Sequence, residues 1–109
     1  MSAADHYRLG FELQSAGKLP EAEQSYRAAI ALDGRHAKAL NNLGSLLHAR
    51  GELDAAIDNY NRALEAQPGL LYAARNLAIA WLMRGDAGRA EQFARRALTL
   101  IARGAGRSL

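Results

Sequence analysis

The sequence predicts an all-α fold made of six helices. Of the 109 residues, 24 are Ala and 17 are Leu, whereas Val is absent and the other β-branched residues are four Ile and one Thr. Strands draw on β-branched and aromatic side chains, while Ala and Leu lose little free energy on entering a helix. Apolar side chains also recur at steps of three and four residues, which is the spacing of an amphipathic helix. These observations favour stacked helices over any sheet.

A 34-residue repeat organises the chain. Gly17, Gly51 and Gly85 recur at this one constant spacing, and the first two copies of the repeat are identical at nine positions. Those identities fall on the small and large side chains that pack two helices together. The chain is therefore predicted to be one domain over residues 1–109, with a short tail at 105–109. The three repeats cover residues 3–36, 37–70 and 71–104.

The first helix pair is predicted over residues 3–16 and 20–32. Gly17 supplies the positive φ that ends the first of these helices. Pro20 suits the first turn of the second, because a proline there sacrifices no intrahelical hydrogen bond. The turn residues Asp33 and Gly34 end the first repeat.

The second helix pair is predicted over residues 37–49 and 54–66. Gly51 closes the first helix, and Asp54 places a carboxylate where it favours the N-terminus of the next. Pro68 and the following glycine end this repeat. The two helices carry apolar stripes at helical spacing, formed by Leu40, Leu43 and Leu47 and by Ala56, Ile57, Tyr60, Ala63 and Leu64.

The third helix pair is predicted over residues 71–83 and 88–102, with Gly85 and Asp86 between them. This copy departs most from the others, because Ala94 stands where they carry a tyrosine. The segment after residue 102 contains two glycines and is expected to fray. An apolar strip remains on the last helix, formed by Leu98, Leu100 and Ile101, with the arginines Arg95, Arg96 and Arg103 beside it.

The repeat resembles the tetratricopeptide repeat family. That family has the pattern Trp-x2-Leu-Gly-x2-Tyr, then Ala-x3-Phe, then Ala and Pro, in a 34-residue period. The second repeat reads Leu40-x2-Leu43-Gly44-x2-Leu47, Ala56-x3-Tyr60, Ala63 and Pro68. The first reads His6-x2-Leu9-Gly10-x2-Leu13, Ala22-x3-Tyr26, Ala29 and Gly34, and the third is a looser variant. The resemblance implies a right-handed superhelical solenoid of three helix-turn-helix repeats with one concave face.

The resemblance also implies a peptide-binding groove on the concave face, which in the family is lined by the first helix of each repeat. The predicted binding residues here are Tyr7, Arg8, Phe11, Lys38, Asn41, Asn42, Ser45, Tyr72, Arg75, Asn76 and Ile79. Cations in this set would attract carboxylates, and aromatics would supply buried area. We therefore expect the partner to be a protein or peptide that offers an extended, acidic or amphipathic segment. An alternative for Tyr7 and Phe11 is that they cover the N-terminal end of the core.

Two family precedents bear on the groove. Asn42 and Asn76 lie one full repeat apart and are expected to stack, which resembles the asparagine ladder in the repeats of O-linked N-acetylglucosamine transferases. Alternatively, asparagine is simply common before Leu-Gly in such repeats, and Arg8 interrupts the ladder. Chaperone-binding members instead hold a C-terminal carboxylate with a two-carboxylate clamp. Of its positions only Asn42 matches, so binding of that type is not expected. The other clamp positions are occupied by Tyr7, Phe11, Tyr72 and Asn76.

Several functions are not expected from this sequence. It has no Cys, no Gly-rich phosphate loop and no nucleophile motif, and its three His have no partners at metal-ligand spacing. We therefore expect no catalysis, no cofactor and no metal site. The net charge of +3 comes from Arg spread over residues 71–109 rather than from a compact basic run, so nucleic acid is not an expected partner. No apolar run is long enough for a membrane span or a signal peptide, which makes the cytoplasm the default location.

Three hypotheses for function remain open from the sequence. The first is a peptide-binding adaptor or scaffold that uses the concave groove. The second is an N-terminal repeat fragment or accessory of a larger enzyme, such as a glycosyltransferase. The third is a scaffold that forms homo-oligomers through an uncovered C-terminal repeat, because few residues follow the predicted helix 88–102.

Overall fold

The computed structural model describes residues 1–107, which contain six α-helices and no strand. This confirms the all-α prediction. The predicted bounds of the first five helices agree with the structure to within one residue, because glycine and proline mark the turns. The helices are α1 (Ala3–Ser15), α2 (Leu19–Leu32), α3 (Ala37–Ala49), α4 (Leu53–Ala66), α5 (Leu71–Met83) and α6 (Ala87–Arg107).

The helices pack as three successive pairs. The pairs α1–α2, α3–α4 and α5–α6 form the repeats, and contacts between α2 and α3 and between α4 and α5 join each repeat to the next. A continuous core runs through the stack, and its largest fully buried side chains are Tyr26, Tyr60, Leu40 and Leu77. Since α3 also contacts α5, the first helices of the second and third repeats lie side by side along one face.

The turn inside each repeat has the same backbone structure. Gly17, Gly51 and Gly85 have φ values of 78°, 84° and 85°. The N–H of Gly51 donates to the carbonyl of His48 at 3.0 Å, and the next N–H, of Glu52, donates to that of Leu47 at 2.9 Å. The same two bonds recur at the other two glycines. This Schellman arrangement ends each first helix at the same point and so gives the three pairs a common geometry.

Close approach of the paired helices depends on a glycine facing a tyrosine ring. A Cβ on Gly10 would lie 2.7 Å from Tyr26 Cδ1, and one on Gly44 would lie 2.6 Å from Tyr60 Cε1. The third repeat has Ala78 at the glycine position and Ala94 at the tyrosine position. The methyl group of Ala78 therefore meets no tyrosine ring, because Ala94 replaces the tyrosine with which it would collide.

Ion pairs join the repeats at one recurring position. Arg50 lies 2.5 Å from Glu23 of the preceding repeat, and Arg84, at the same position of the next repeat, pairs with Asp54. The pKa of Glu23 is lowered, chiefly by the hydrogen bond from Arg50. Both arginines directly precede the turn glycines, so the pairs lie at the same edge of the stack.

The last helix is longer than the sequence predicted. It was expected to end at residue 102, but α6 continues through Arg107. Ala102 occupies the position of Gly34 and Pro68 in the earlier repeats, and neither residue type that ends those repeats is present there. Of the predicted tail 105–109, residues 105–107 are therefore helical, and residues 108–109 lie outside the described residues.

Candidate functional site

The concave side of the stack contains an open cavity of about 450 Å³ between α1, α3 and α5. We call this cavity the groove. Its walls come from the first helix of each repeat, because the common turn geometry places those three helices on the same side. The groove is lined by Tyr7, Phe11, Lys38, Asn41, Asn42, Ser45, Leu70, Tyr72, Arg75 and Asn76.

The structure brings together nine of the eleven residues proposed from the sequence. Arg8 and Ile79 do not line the groove. The guanidinium of Arg8 lies 3.5 Å from the carboxylate of Asp5, and the side chain of Ile79 is 45% exposed. Leu70, which the sequence did not indicate, lines the groove from the residue just before α5. No motif marks that position; only its recurring place before a first helix could have done so.

The aromatic residues of the groove differ in their surroundings. Tyr7 is half-buried, with its ring centroid 6.0 Å from that of Tyr26 and 5.2 Å from that of His36. By contrast, Phe11 is 53% exposed and Tyr72 is 56% exposed. Tyr7 therefore covers the N-terminal end of the core, as the alternative expected, but Phe11 does not. The rings of Phe11 and Tyr72 remain accessible from the groove.

The two asparagines of the expected ladder have different hydrogen-bond partners. Asn42 donates to the hydroxyl of Tyr26 at 3.2 Å, and that hydroxyl donates to Gln14 at 2.6 Å. Asn76 instead donates to the side-chain carbonyl of Asn41 at 3.0 Å. Although the two residues occupy the same position of successive repeats, they donate to partners at different positions. The expected stacked pair does not form hydrogen bonds between its own members.

Asn41 is the most enclosed polar side chain of the groove, at 6% exposure. Its Oδ1 accepts from Asn76, and its main-chain carbonyl accepts from the Ser45 hydroxyl at 3.4 Å. Its Nδ2 donates to no group among residues 1–107. A hydrogen-bond donor on the groove wall is therefore unoccupied by the protein itself.

The charge of the groove is positive. Lys38 and Arg75 line it, no Asp or Glu does, and neither cation forms an ion pair within residues 1–107. The guanidinium of Arg75 lies 5.0 Å from the centre of the Tyr72 ring, a cation–π contact that restricts its position. The groove thus combines two cations, two exposed rings and several amides.

The helix pairing that shapes the groove depends on two tyrosines, whose pKa values are raised by burial. A folded-state pKa above the unfolded value means that stability is retained below about pH 10 and lost as the pH rises further. We therefore expect Tyr26→Phe/Tyr60→Phe to flatten the alkaline decline of the melting temperature. Thermal melts followed by circular dichroism above and below pH 10 measure this, with Tyr72→Phe as an exposed control. Equal alkaline declines in all three proteins would contradict it.

The histidines have structural contacts. His36 accepts the N–H of Ala39 at the start of α3 at 3.2 Å, and His48 Nε2 lies 3.0 Å from the sulfur of Met83. Within residues 1–107, no three His, Cys, Asp or Glu side chains are grouped as a metal site. None of the helices described is both long and apolar enough to cross a membrane.

Comparison with known proteins finds tetratricopeptide relatives. The chain is 31% identical over 86 residues to the peroxisomal targeting signal receptor of Yarrowia lipolytica, covering 78% of this chain and 14% of that protein. It is 32% identical over 104 residues to the type IV pilus assembly protein PilF of Pseudomonas aeruginosa, covering 91% and 40%. A photosystem I assembly protein of Prochlorococcus marinus is 29% identical over 85 residues, covering 75% and 49%. The chain spans less than half the length of these relatives.

Solved structures and family models agree with that result. The crystal structure of MamA matches with a TM-score of 0.88 and 28% identity, over 96% of this chain and 61% of that one. The Yersinia enterocolitica type III secretion translocator chaperone SycD matches with a TM-score of 0.81 and 26% identity, over 92% and 75%. Two family models described as tetratricopeptide repeat match residues 7–70 and 70–108. The chain therefore belongs to the tetratricopeptide repeat family.

Proposed function

We propose that this chain is a non-catalytic interaction module that holds an extended, acidic or amphipathic segment of a partner protein in the groove. The observation that carries the proposal is the open cavity of about 450 Å³, which combines exposed aromatic rings with two cations. Within the described part of the chain, these cations form no ion pair and no carboxylate lines the cavity. The exposed rings of Phe11 and Tyr72 offer apolar area at little entropic cost. Lys38 and Arg75 attract carboxylates and orient the segment.

The names of the relatives support a role in protein binding. They are a targeting-signal receptor, two assembly proteins and a secretion chaperone, and none of these names describes a catalytic activity. The similarity to glycosyltransferase repeats remains a prediction from the Asn42 and Asn76 spacing. Attachment to a larger enzyme likewise remains an alternative, because the chain matches only part of each curated relative.

Selection from a random peptide library tests the proposal without a known partner. Short linear peptides are displayed, selected on the immobilised chain and then measured by fluorescence anisotropy. We expect enriched peptides to bind at least tenfold more weakly to Phe11→Ala/Tyr72→Ala, since exposed aromatic anchors dominate such interfaces. Leu32→Ala is the matched control, because Leu32 is 61% exposed but lies outside the groove.

Two outcomes would reject groove binding. One is a library that yields no enriched peptide. The other is a set of enriched peptides whose affinity is unchanged by the loss of both rings. Circular dichroism of each variant establishes that the fold is intact, which is expected because both rings are more than half exposed.

Self-association is a second candidate function, favoured by exposed apolar side chains of the third repeat. Leu64 is 4% exposed between the second and third repeats, whereas the equivalent Leu98 is 65% exposed. Leu82 and Ile101 of the third repeat are also exposed, at 64% and 51%. At the other end, the charged Asp5 and Glu12 occupy the positions of the buried Ala39 and Leu46. Head-to-tail stacking would bury those charges, so we propose that two copies pair through their C-terminal repeats.

Sedimentation velocity at increasing concentration tests this second candidate. We expect a monomer–dimer equilibrium that Leu98→Glu abolishes and Leu32→Glu leaves unchanged, because both leucines are similarly exposed but only Leu98 lies in the third repeat. A chain that stays monomeric at millimolar concentration, or one whose dimer survives Leu98→Glu, would reject pairing through this face.

A further inference from the structure

The side-chain amide of Asn41 lines the groove, and its oxygen already accepts a hydrogen bond from the protein. Its Oδ1 accepts a hydrogen bond from Asn76 at 3.0 Å, which fixes the amide so that Nδ2 is the free end. The residue is 6% exposed and lines the cavity. Nδ2 has no hydrogen-bond partner within residues 1–107, and it is accessible from the cavity rather than sealed in the core. An acceptor from water or from a ligand can therefore bind it.

The surroundings of that donor favour a charged acceptor. Lys38 precedes Asn41 by one helical turn on α3, and Arg75 lines the same cavity from α5. Among residues 1–107, no carboxylate lines the cavity to neutralise either cation. Hydrogen bonds from such donors to an anion are shorter and stronger than bonds to a neutral carbonyl.

Resting on the groove function above, we propose that the groove contains a subsite for one carboxylate of the bound segment. Asn41 Nδ2 donates to this carboxylate, and Lys38 and Arg75 neutralise its charge. The neighbouring apolar side chain of the segment packs on the Tyr72 ring, which Arg75 already contacts at 5.0 Å. The subsite therefore selects an acidic residue next to an apolar one.

This subsite differs from the two-carboxylate clamp of chaperone-binding relatives. The clamp positions that do not match are occupied here by Tyr7, Phe11, Tyr72 and Asn76. Lys38 and Asn41 occupy the repeat positions of Tyr72 and Tyr7 but lie in the second repeat, and Arg75 occupies the position of Tyr7 in the third repeat. The three residues are therefore shifted by one or two repeats from the clamp residues at those positions. The bound carboxylate is accordingly not required to be the end of a chain, and a side chain of Asp or Glu within the segment fulfils the same chemistry.

Peptides enriched on the chain test the subsite directly. We expect Asp or Glu at one fixed position of the enriched peptides, and replacement of that residue by Gln or Asn should weaken binding at least tenfold. Amidation of the peptide C-terminus separates the two sources of a carboxylate: it should have no effect if the side chain is bound, and it should weaken binding if the terminus is bound. Either pattern supports the subsite.

Asn41→Asp isolates the contribution of the amide. The variant keeps the Oδ acceptor used by Asn76 but replaces the free donor with a negative charge. The variant should then no longer prefer the peptide with Asp or Glu at the fixed position over the peptide with Asn or Gln there. If the role of Asn41 is purely structural, the variant should instead bind both peptides more weakly by the same factor. Asn59→Asp is the control, since Asn59 is 8% exposed and its Nδ2 already donates to the Ala55 carbonyl outside the groove.

The outcomes separate the subsite from groove binding itself. Enriched peptides that depend on Phe11 and Tyr72 but contain no fixed acidic residue would overturn the subsite and leave the groove function standing. Equal loss of both peptides in Asn41→Asp would also overturn it. Failure to enrich any peptide would overturn both proposals.

Discussion

Replacing Gly44 by Ala is expected to destabilise the protein by about 1–2 kcal/mol, and the sign should reverse once Tyr60 is also replaced by Ala. The added Cβ would lie 2.6 Å from Tyr60 Cε1 and 3.3 Å from the Ala56 carbonyl oxygen. Tyr60→Ala alone should cost about 3–5 kcal/mol, as for other large buried aromatics. In that background the methyl group has room, and the better helix propensity of Ala contributes up to about 1 kcal/mol.

Urea denaturation of the four proteins in this mutant cycle measures the coupling between the two sites. Gly34→Ala serves as the control, because no atom lies within 4 Å of a Cβ at that position. If the changes in the free energy of unfolding caused by Gly44→Ala and Tyr60→Ala are additive, the Tyr60 ring is not the reason that a glycine is needed at position 44. Ala78 and Ala94 of the third repeat are the natural equivalent of the double variant Gly44→Ala/Tyr60→Ala.

Reversing both groove cations is expected to weaken binding of an enriched acidic peptide by about 100-fold. Lys38→Glu/Arg75→Glu replaces the two unpaired cations of the groove with carboxylates, and truncating or opposing close charge pairs commonly costs about 2–5 kcal/mol. The wild-type affinity should also fall with added NaCl, since salt screens exposed charges. Fluorescence anisotropy titrations at two salt concentrations measure both effects.

A matched double variant separates local charge from net charge. Arg62→Glu/Arg103→Glu changes the net charge by the same amount, and both arginines are exposed, unpaired within residues 1–107 and outside the groove. Its effect should be several-fold at most. Equal loss in the two double variants would mean that the peptide responds to overall charge rather than to the groove.

Much of the fold could be predicted because its determinants are local and repeated. Gly17, Gly51 and Gly85 mark turns that require positive φ, and the observed values of 78°, 84° and 85° agree. The length of α6 was not predictable in the same way. Its predicted end depended on the period of the repeat, but the local sequence beyond Ala102 lacks the proline or turn that ends the earlier copies.

The groove was predicted as a set of positions but not as a set of contacts. The repeat register places a residue on a face, and nine of the eleven proposed residues do line one cavity. Register cannot show that Asn42 donates to Tyr26 while Asn76 donates to Asn41. By register Asn76 would donate to Tyr60, but the Tyr60 hydroxyl lies 3.4 Å from His48 Nδ1, where Tyr26 instead contacts Gln14. Nor does it show that Arg8 lies beside Asp5 rather than in the groove.

Nuclear magnetic resonance mapping of a bound peptide tests the central claim most directly. An enriched peptide is titrated into the labelled chain, and changes in backbone and side-chain amide shifts are assigned to residues. Groove binding predicts that the largest changes fall on α1, α3 and α5, including the side-chain amide of Asn41. Changes confined to α2, α4 and α6 would contradict the assignment of the groove as the binding site.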